Sequence, residues 1–221
     1  MDHTENLARV YEQATERDIQ VALVSYEKYR QITAKIASKY GFAPLIGAAV
    51  FAALSPNNDY WGNLRNTDDL LAAAAAGKPI ESVKVSTYGN NKRKAWRIAH
   101  GEDPDKLIVA LKTSNFFHNI AEPKDPRWIT IDGHMYNIWW GKRAPIQSKN
   151  PAVRVVKVDR SNYQIIAAGV SAFGQAKGFI PSEMQSILWQ TWRRVNSIRT
   201  PAQQELWDRD YIEARLGFVC S

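Results

Sequence analysis

Cysteine is almost absent from this sequence: Cys220 is the single one among 221 residues. A chain with one cysteine has no internal disulfide and no zinc or iron–sulfur site built from cysteines alone. The four histidines lie apart and lack acidic or cysteine neighbours at ligand spacing, so we expect no metal site. Scarce cysteine is also typical of reducing compartments, which predicts a cytoplasmic protein.

Long apolar runs are missing as well. The longest, from Leu45 to Leu54, is far shorter than the roughly 20 residues that a membrane-spanning helix needs. The first twenty residues are charged throughout, which predicts no signal peptide. The short apolar runs predict that the protein has no membrane partner. No glycine pattern of the Rossmann or P-loop kind occurs, so we expect no cofactor.

Positive charge and aromatic residues are abundant instead. The formal net charge is +7 and the isoelectric point is about 9.5. A strongly positive net charge favours a polyanionic partner, although it does not indicate the fold. Eight tryptophans and nine tyrosines accompany the basic residues. Aromatic side chains in that company can stack on nucleobases as well as pack in a core.

The spacing of apolar residues predicts an all-α fold. Helices are expected over 4–40 (as two helices), 44–54, 60–76, 90–99, a short segment from 103, 133–140, 161–178 and 181–194. Segment 44–54 is apolar on every side, which places it in the middle of the domain. Residues 142–159 are basic and lack helical periodicity, so they form either a loop or a small β-hairpin.

Asp132 stands at a junction between two kinds of sequence. A short β-branched run precedes it, and an apolar stretch that ends at Trp139, Trp140 and Gly141 follows it. This order predicts that Asp132 caps a helix by accepting hydrogen bonds from the free amides of the first turn. A carboxylate at the positive end of a helix dipole stays ionised, so Asp132 is either a helix cap and nothing more or an ionised group beside a cleft.

Separated stretches of the chain resemble the helix-hairpin-helix DNA glycosylase superfamily. The run from Ile131 to Tyr136 is similar to the segment that bears its catalytic aspartate, with the 8-oxoguanine glycosylases most similar. The run from Lys112 to Asn119 is similar to the helix after the hairpin, which opens with the Schiff-base lysine in bifunctional members. The resemblance therefore implies that Asp132 and Lys112 are catalytic.

Two further stretches extend the resemblance upstream. The turn from Leu54 to Asp59 resembles the one that supplies a polar wedge for the gap left by a flipped base, and Tyr88 to Ala95 resembles a tyrosine followed by a basic helix. His134 either contacts a phosphate or packs behind the helix cap. The resemblance implies DNA contacts from Asn57, Asn58, Tyr88, Asn91, Lys92, Arg93, Lys94 and His134.

Order and spacing match over about 48–141, under half of the chain. The resemblance implies one two-lobed helical domain over 1–221, in which 1–47 and 142–221 form the second lobe and extensions. The chain is also similar to small proteins of actinobacteria and their phages, which share the stretch from Pro181 to Arg194. That likeness implies a bacterial cell or a phage-infected host.

The hairpin departs from the superfamily pattern. Its members carry a glycine-rich turn whose backbone amides grip a DNA phosphate, whereas Lys106 to Leu111 contain no glycine. A backbone without glycine approaches a phosphate less closely and does not easily adopt left-handed angles.

Three functions are consistent with these features, and DNA is the partner in each. The first is a DNA glycosylase, or glycosylase/lyase, that acts on a flipped base, with Asp132 stabilising the positive charge on the sugar and Lys112 as nucleophile. The second is phage-type base hypermodification by group transfer onto an activated hydroxymethyl pyrimidine. The third is a non-catalytic nucleic-acid-binding protein, since a fold does not by itself define a function.

Overall fold

A computed structural model describes residues 3–146, 148, 150 and 152–198, and in this part of the chain it is all-α, as predicted. The helices are α1 (Thr4–Tyr11), α2 (Glu16–Lys39), α3 (Pro44–Leu54), α4 (Tyr60–Ala75), α5 (Gly89–Ala99), α6 (Pro104–Leu107), α7 (Leu111–Ala121), α8 (Gly133–Trp140), α9 (Arg160–Ala176) and α10 (Pro181–Val195). A 3-10 turn covers Ile80–Ser82. The described residues between α8 and α9 form a loop and no strand, which decides between the two predicted alternatives there. Cys220 and the polar tail from Thr200 lie outside the described residues.

Helix α3 is the centre of the first of two hydrophobic cores. Every residue from Gly47 to Leu54 is buried, as the apolar sequence predicted. Helices α2, α4, α5 and α7 pack around it. Helix α2 approaches so closely that a Cβ on Gly47 would lie 2.2 Å from the carbonyl oxygen of Thr33. Glycine at this position therefore sets the distance between the two helices.

The second core joins both ends of the described chain. It combines α1, segment 129–131, α8, α9 and α10 through buried Leu7, Ile131, Met135, Val170 and Leu188. The division into two cores differs from the range 48–141 that resembles the glycosylases. Helix α2 lies before this range but belongs to the first core, and α8 lies within it but belongs to the second. Helix α10 also contacts α2, so the two cores share a seam.

No single helix in the described part of the chain is long and apolar enough to cross a membrane. Helices α2 and α3 meet the length and composition test only as a pair, bent by 111°.

The close contact of α2 and α3 gives a stability prediction. Gly47→Ala forces a methyl group against the Thr33 backbone, and we expect it to lower the free energy of unfolding by about 1–3 kcal/mol, as overpacked cores do. Urea denaturation measures this change. Gly89→Ala is the matched control, because the nearest atom to its Cβ is Arg93 Nη1 at 3.8 Å. Equal stability of the two variants would contradict the prediction.

Candidate functional site

A cavity of about 1360 Å³ lies between the two cores. Side chains of α2, α3 and α7 from the first core line it, together with α8, α9 and α10 from the second. Asp132, Lys112, His134, Asn57 and Asn58 all line this central cavity. Tertiary packing thus gathers five of the residues that the sequence singled out, although 77 positions separate Asn57 from His134.

Asp132 caps α8, as predicted, and both of its carboxylate oxygens are engaged. Oδ1 accepts from the backbone amides of His134 (2.9 Å) and Met135 (3.0 Å). Oδ2 accepts from the indole Nε1 of Trp189 at 3.0 Å. A carboxylate has about four lone-pair positions, so the group is fixed in orientation and still has acceptor capacity toward the cavity.

These surroundings keep Asp132 ionised. Burial by itself raises the pKa of the Asp132 carboxyl, but the Lys112 ammonium, His134 and the hydrogen bonds from Met135 and Trp189 oppose it. The opposing contributions win, and the pKa of Asp132 lies below its ordinary value. The side chain is only partly buried, so a charged carboxylate faces the cavity.

Tyr163 of α9 holds the segment that leads into Asp132. Its hydroxyl donates to the carbonyl oxygen of Ile129 (2.6 Å) and accepts from the amide of Ile131 (3.2 Å). The same hydroxyl lies 3.5 Å from the carbonyl oxygen of Leu111, at the start of α7. One side chain thus connects the beginnings of α7, α8 and α9 and fixes where Lys112 and Asp132 lie.

The loop after α8 packs over the start of that helix. The Asn137 amide donates to the Ala144 carbonyl (2.8 Å) and accepts from the Ala144 amide (3.3 Å), which ties the loop to α8. Ile146 lies so close that a Cβ on Gly133 would be 2.6 Å from its Cγ2. Gly133 is therefore required for this loop to form a wall of the cavity beside Asp132.

Lys112 is the second residue of α7 and lines the cavity near Asp132. Its charge contributes to the low pKa of the Asp132 carboxyl. The side chain is exposed, and no hydrogen bond or ion pair to the described residues holds its ammonium. Its role as nucleophile, which the family resemblance implied, stays a prediction.

Aromatic rings form the wall contributed by the first core. The rings of Tyr29, Phe51, Tyr60 and Phe116 lie with centroids 5.6–6.1 Å apart. Burial raises the pKa of Tyr29 to about 12, so it stays neutral. Flat faces of this kind suit the stacking of a planar ligand.

The turn before α4 brings the two asparagines into different positions. Asn57 is exposed and has a left-handed backbone with φ 56°, and its amide donates to the Tyr88 hydroxyl. Asn58 instead turns inward, where its amide donates to the Leu54 carbonyl (3.3 Å) and to Asn63 (3.4 Å). Asn57 is therefore an exposed residue of the cavity lining, and Asn58 stabilises the turn.

The basic helix α5 lies apart from the cavity. Tyr88, Asn91, Lys92, Arg93 and Lys94 do not line it. Tyr88 is 61% exposed and reaches the edge only through its contact with Asn57. Asn91 donates to Thr87 (2.8 Å), which in turn donates to the Pro56 carbonyl (2.6 Å). This helix can extend a binding surface beside the cavity, but it contributes nothing to the chemistry inside it.

The segment at the expected hairpin has no left-handed residue. Ile108 and Ala110 have φ values of −97° and −74°, and no positive φ occurs between α6 and α7. The backbone here therefore lacks the left-handed residue that shapes a concave group of amides for a phosphate.

His118 connects α6 to α7. Its Nε2 lies 3.0 Å from Asp105 Oδ1, and its ring stacks on Trp128 at 3.9 Å, so His118 is structural.

His134 faces the cavity from the first turn of α8. Burial lowers the pKa of its imidazole, the Asp132 carboxylate opposes this, and Arg193 and Lys112 add to the lowering. The net pKa is below the ordinary value, so the ring is neutral at pH 7. Within the described residues, no group of three or more His, Cys, Asp or Glu side chains is placed to hold a metal ion.

Helix α10 supplies site residues that sequence reasoning did not assign to the cavity. Gln185, Trp189 and Arg193 lie four residues apart and all line it. Gln185 accepts from the Tyr26 hydroxyl (2.8 Å), and the Arg193 guanidinium lies 4.2 Å from the Trp189 ring. Spacing of i, i+4, i+8 on one helix face was the available signal. Arg194 faces the other way and pairs with buried Asp18 at 2.8 Å.

Trp189→Phe tests the indole contact. Loss of the indole donor leaves Oδ2 with one partner fewer, so we expect the pKa of Asp132 to rise toward its ordinary value. Carboxyl-carbon NMR titration of labelled aspartate measures it. Trp192→Phe is the matched control on the same helix, because the buried Nε1 of Trp192 has no hydrogen-bond partner among the described residues. An Asp132 pKa that is the same in both variants would refute the tuning role.

His134 predicts how stability depends on pH. Because its folded pKa lies below the unfolded value of about 6.5, the unfolded chain binds more protons as the pH falls through that value. The protein should therefore lose stability between pH 7.5 and pH 5, and His134→Gln should lose less. Urea midpoints at the two pH values measure this. A decrease of the same size in both proteins would contradict it.

Comparison with known families and structures adds one match. The family of unknown function DUF7178 matches residues 1–196. No curated protein and no solved structure matches the chain.

Proposed function

The chain belongs to the family of unknown function DUF7178, and from the chemistry of its site we propose that it is a DNA-base-processing enzyme of the glycosylase type. In this proposal the fold is the two-lobed helix-hairpin-helix glycosylase fold. A flipped base occupies the central cavity.

The observation that carries the proposal is the fixed, ionised carboxylate of Asp132 in a cavity that aromatic side chains of the first core also line. In the proposal, a base stacks against Tyr29 or Phe116 and its sugar lies near the carboxylate. A pre-oriented negative charge stabilises positive charge that develops next to it, and its hydrogen bonds need no rearrangement during the reaction.

The reaction breaks the N-glycosidic bond, and the base leaves with the bonding electron pair and gains a proton. The sugar carbon becomes positive, and the Asp132 carboxylate stabilises it until water adds and releases a proton. In the lyase variant of the reaction, the Lys112 amine adds to the sugar carbon in place of water. Asp132 is the essential group in both versions.

Features outside the cavity support DNA as the substrate. The chain is basic, with a net charge of +7. Exposed Asn57 stands at the cavity edge, where a polar side chain can fill the gap left by a flipped base. Lys92, Arg93 and Lys94 on α5 extend the positive surface beyond that edge.

Group transfer onto a modified pyrimidine is the second candidate, and the size of the cavity favours it. A volume of about 1360 Å³ exceeds the roughly 300–1,000 Å³ typical of small-ligand sites. One base leaves room for a second reactant, such as an amine donor. Hydrolysis needs only DNA, whereas transfer also requires the donor and an activated base.

The proposal predicts a loss of base release in Asp132→Asn. The amide can still cap α8, so the fold should persist, while the rate should fall by about 10²–10³-fold because the negative charge is lost. Release of damaged or modified bases from duplexes, measured by chromatography, tests this. Base release at the wild-type rate in Asp132→Asn would exclude the glycosylase mechanism.

Borohydride trapping on duplexes with an abasic site tests Lys112. A covalent adduct that disappears in Lys112→Gln identifies a glycosylase/lyase. Lys106→Gln is the matched control, an exposed lysine outside the cavity lining. Base release without any adduct would assign water as the nucleophile. Base modification that requires an added amine donor would favour group transfer.

A further inference from the structure

Two arginines line the cavity without a hydrogen-bond or ion-pair partner among the described residues. Arg143 lies in the loop after α8, and Arg160 is the first residue of α9. Both side chains are exposed, and neither forms a hydrogen bond or ion pair with the described residues. Other arginines are paired with carboxylates, namely Arg30, Arg97, Arg127 and Arg194.

The nearby carboxylates are engaged elsewhere. Asp59, which also lines the cavity, caps α4 by accepting from the Gly62 amide (2.8 Å). Asp159 precedes Arg160 but accepts from the amide and side chain of Asn162, at 2.8 and 3.1 Å. Asp132 holds α8 and Trp189. No carboxylate in the described part of the chain therefore forms an ion pair with either arginine.

The elements that carry both arginines are fixed next to Asp132. Arg160 lies one turn before Tyr163, whose hydroxyl bonds to the Ile131 amide directly ahead of Asp132. Arg143 precedes Ala144, whose backbone is bound by Asn137 of α8. Hydrogen bonds thus attach the elements that carry both arginines to the segments on either side of Asp132, and all three residues line the cavity.

We propose that Arg143 and Arg160 form a phosphate-binding pair at the solvent side of the cavity. The pair binds the phosphate of the nucleotide whose base enters the cavity. This choice of phosphate rests on the proposed function. Guanidinium groups bind phosphate oxygens through paired, charge-assisted hydrogen bonds. The backbone between α6 and α7 contains no left-handed residue, and in this proposal side chains neutralise the phosphate. The phosphate is either a diester of DNA or the phosphoryl group of a free ligand.

The double variant Arg143→Gln/Arg160→Gln tests the pair. The matched control is Arg154→Gln/Lys157→Gln, which removes two exposed cations of the same loop that do not line the cavity. We expect roughly ten- to hundredfold weaker binding of a short fluorescein-labelled duplex by the first variant. The slope of log K against log salt should fall by about 0.7–0.9, because the pair neutralises one phosphate. The control should lose about threefold or less.

Calorimetry with inorganic pyrophosphate separates the two sources. Loss of DNA binding alone assigns the pair to the DNA backbone, and loss of pyrophosphate binding alone assigns it to a free ligand. Arg143→Lys/Arg160→Lys keeps the charge without the paired geometry and should bind with intermediate affinity. If the first variant and the control bind the duplex with equal affinity and also bind pyrophosphate with equal affinity, the proposed phosphate-binding pair is refuted.

Base release distinguishes this proposal from the proposed function. Asp132-dependent base release by the wild type, with no difference between the two double variants in binding, would refute the arginine pair and leave the glycosylase function intact. A specific loss of phosphate binding without base release by the wild type would refute the function and leave the pair. Thermal unfolding of each variant shows that it is folded.

Discussion

The carboxylate of Asp132 accepts hydrogen bonds from the first turn of α8 and from the indole of Trp189 on α10. Through these bonds it fixes the start of α8 against a helix that lies 57 residues further along the chain. A charged group tolerates such a position only if hydrogen bonds and nearby cations offset its lost hydration. The wall of the cavity is organised around that requirement.

Contacts on both sides of Asp132 hold its carboxylate in this position. Tyr163 positions the segment before Asp132, and Gly133 lets Ile146 approach on the other side. The loop after α8 stays close to this helix because the Asn137 side chain donates to the Ala144 carbonyl and accepts from the Ala144 amide. The site is therefore built mostly from short elements at the ends of helices, where free amides and exposed side chains are available.

The seam between the cores explains why the cavity exists at all. Helix α10 meets α2 through the bond from Tyr26 to Gln185 and through the ion pair of Arg194 with Asp18. Aromatic residues of the first core and Asp132 line the same cavity. Apolar stacking surface and fixed charge thus come from different cores. This division allows each to be packed by its own neighbours.

The sequence alone determined the helices, the central position of α3 and the capping role of Asp132, because apolar periodicity and cap preferences act within a few residues. It also identified Asn57 and Lys112, which do line the cavity. Only the tertiary structure separated Asn57 from inward-facing Asn58, moved α5 away from the cavity and brought Trp189, Arg143 and Arg160 to it. Those placements depend on which helix faces meet across distant parts of the chain, and local patterns do not encode the partner of a face.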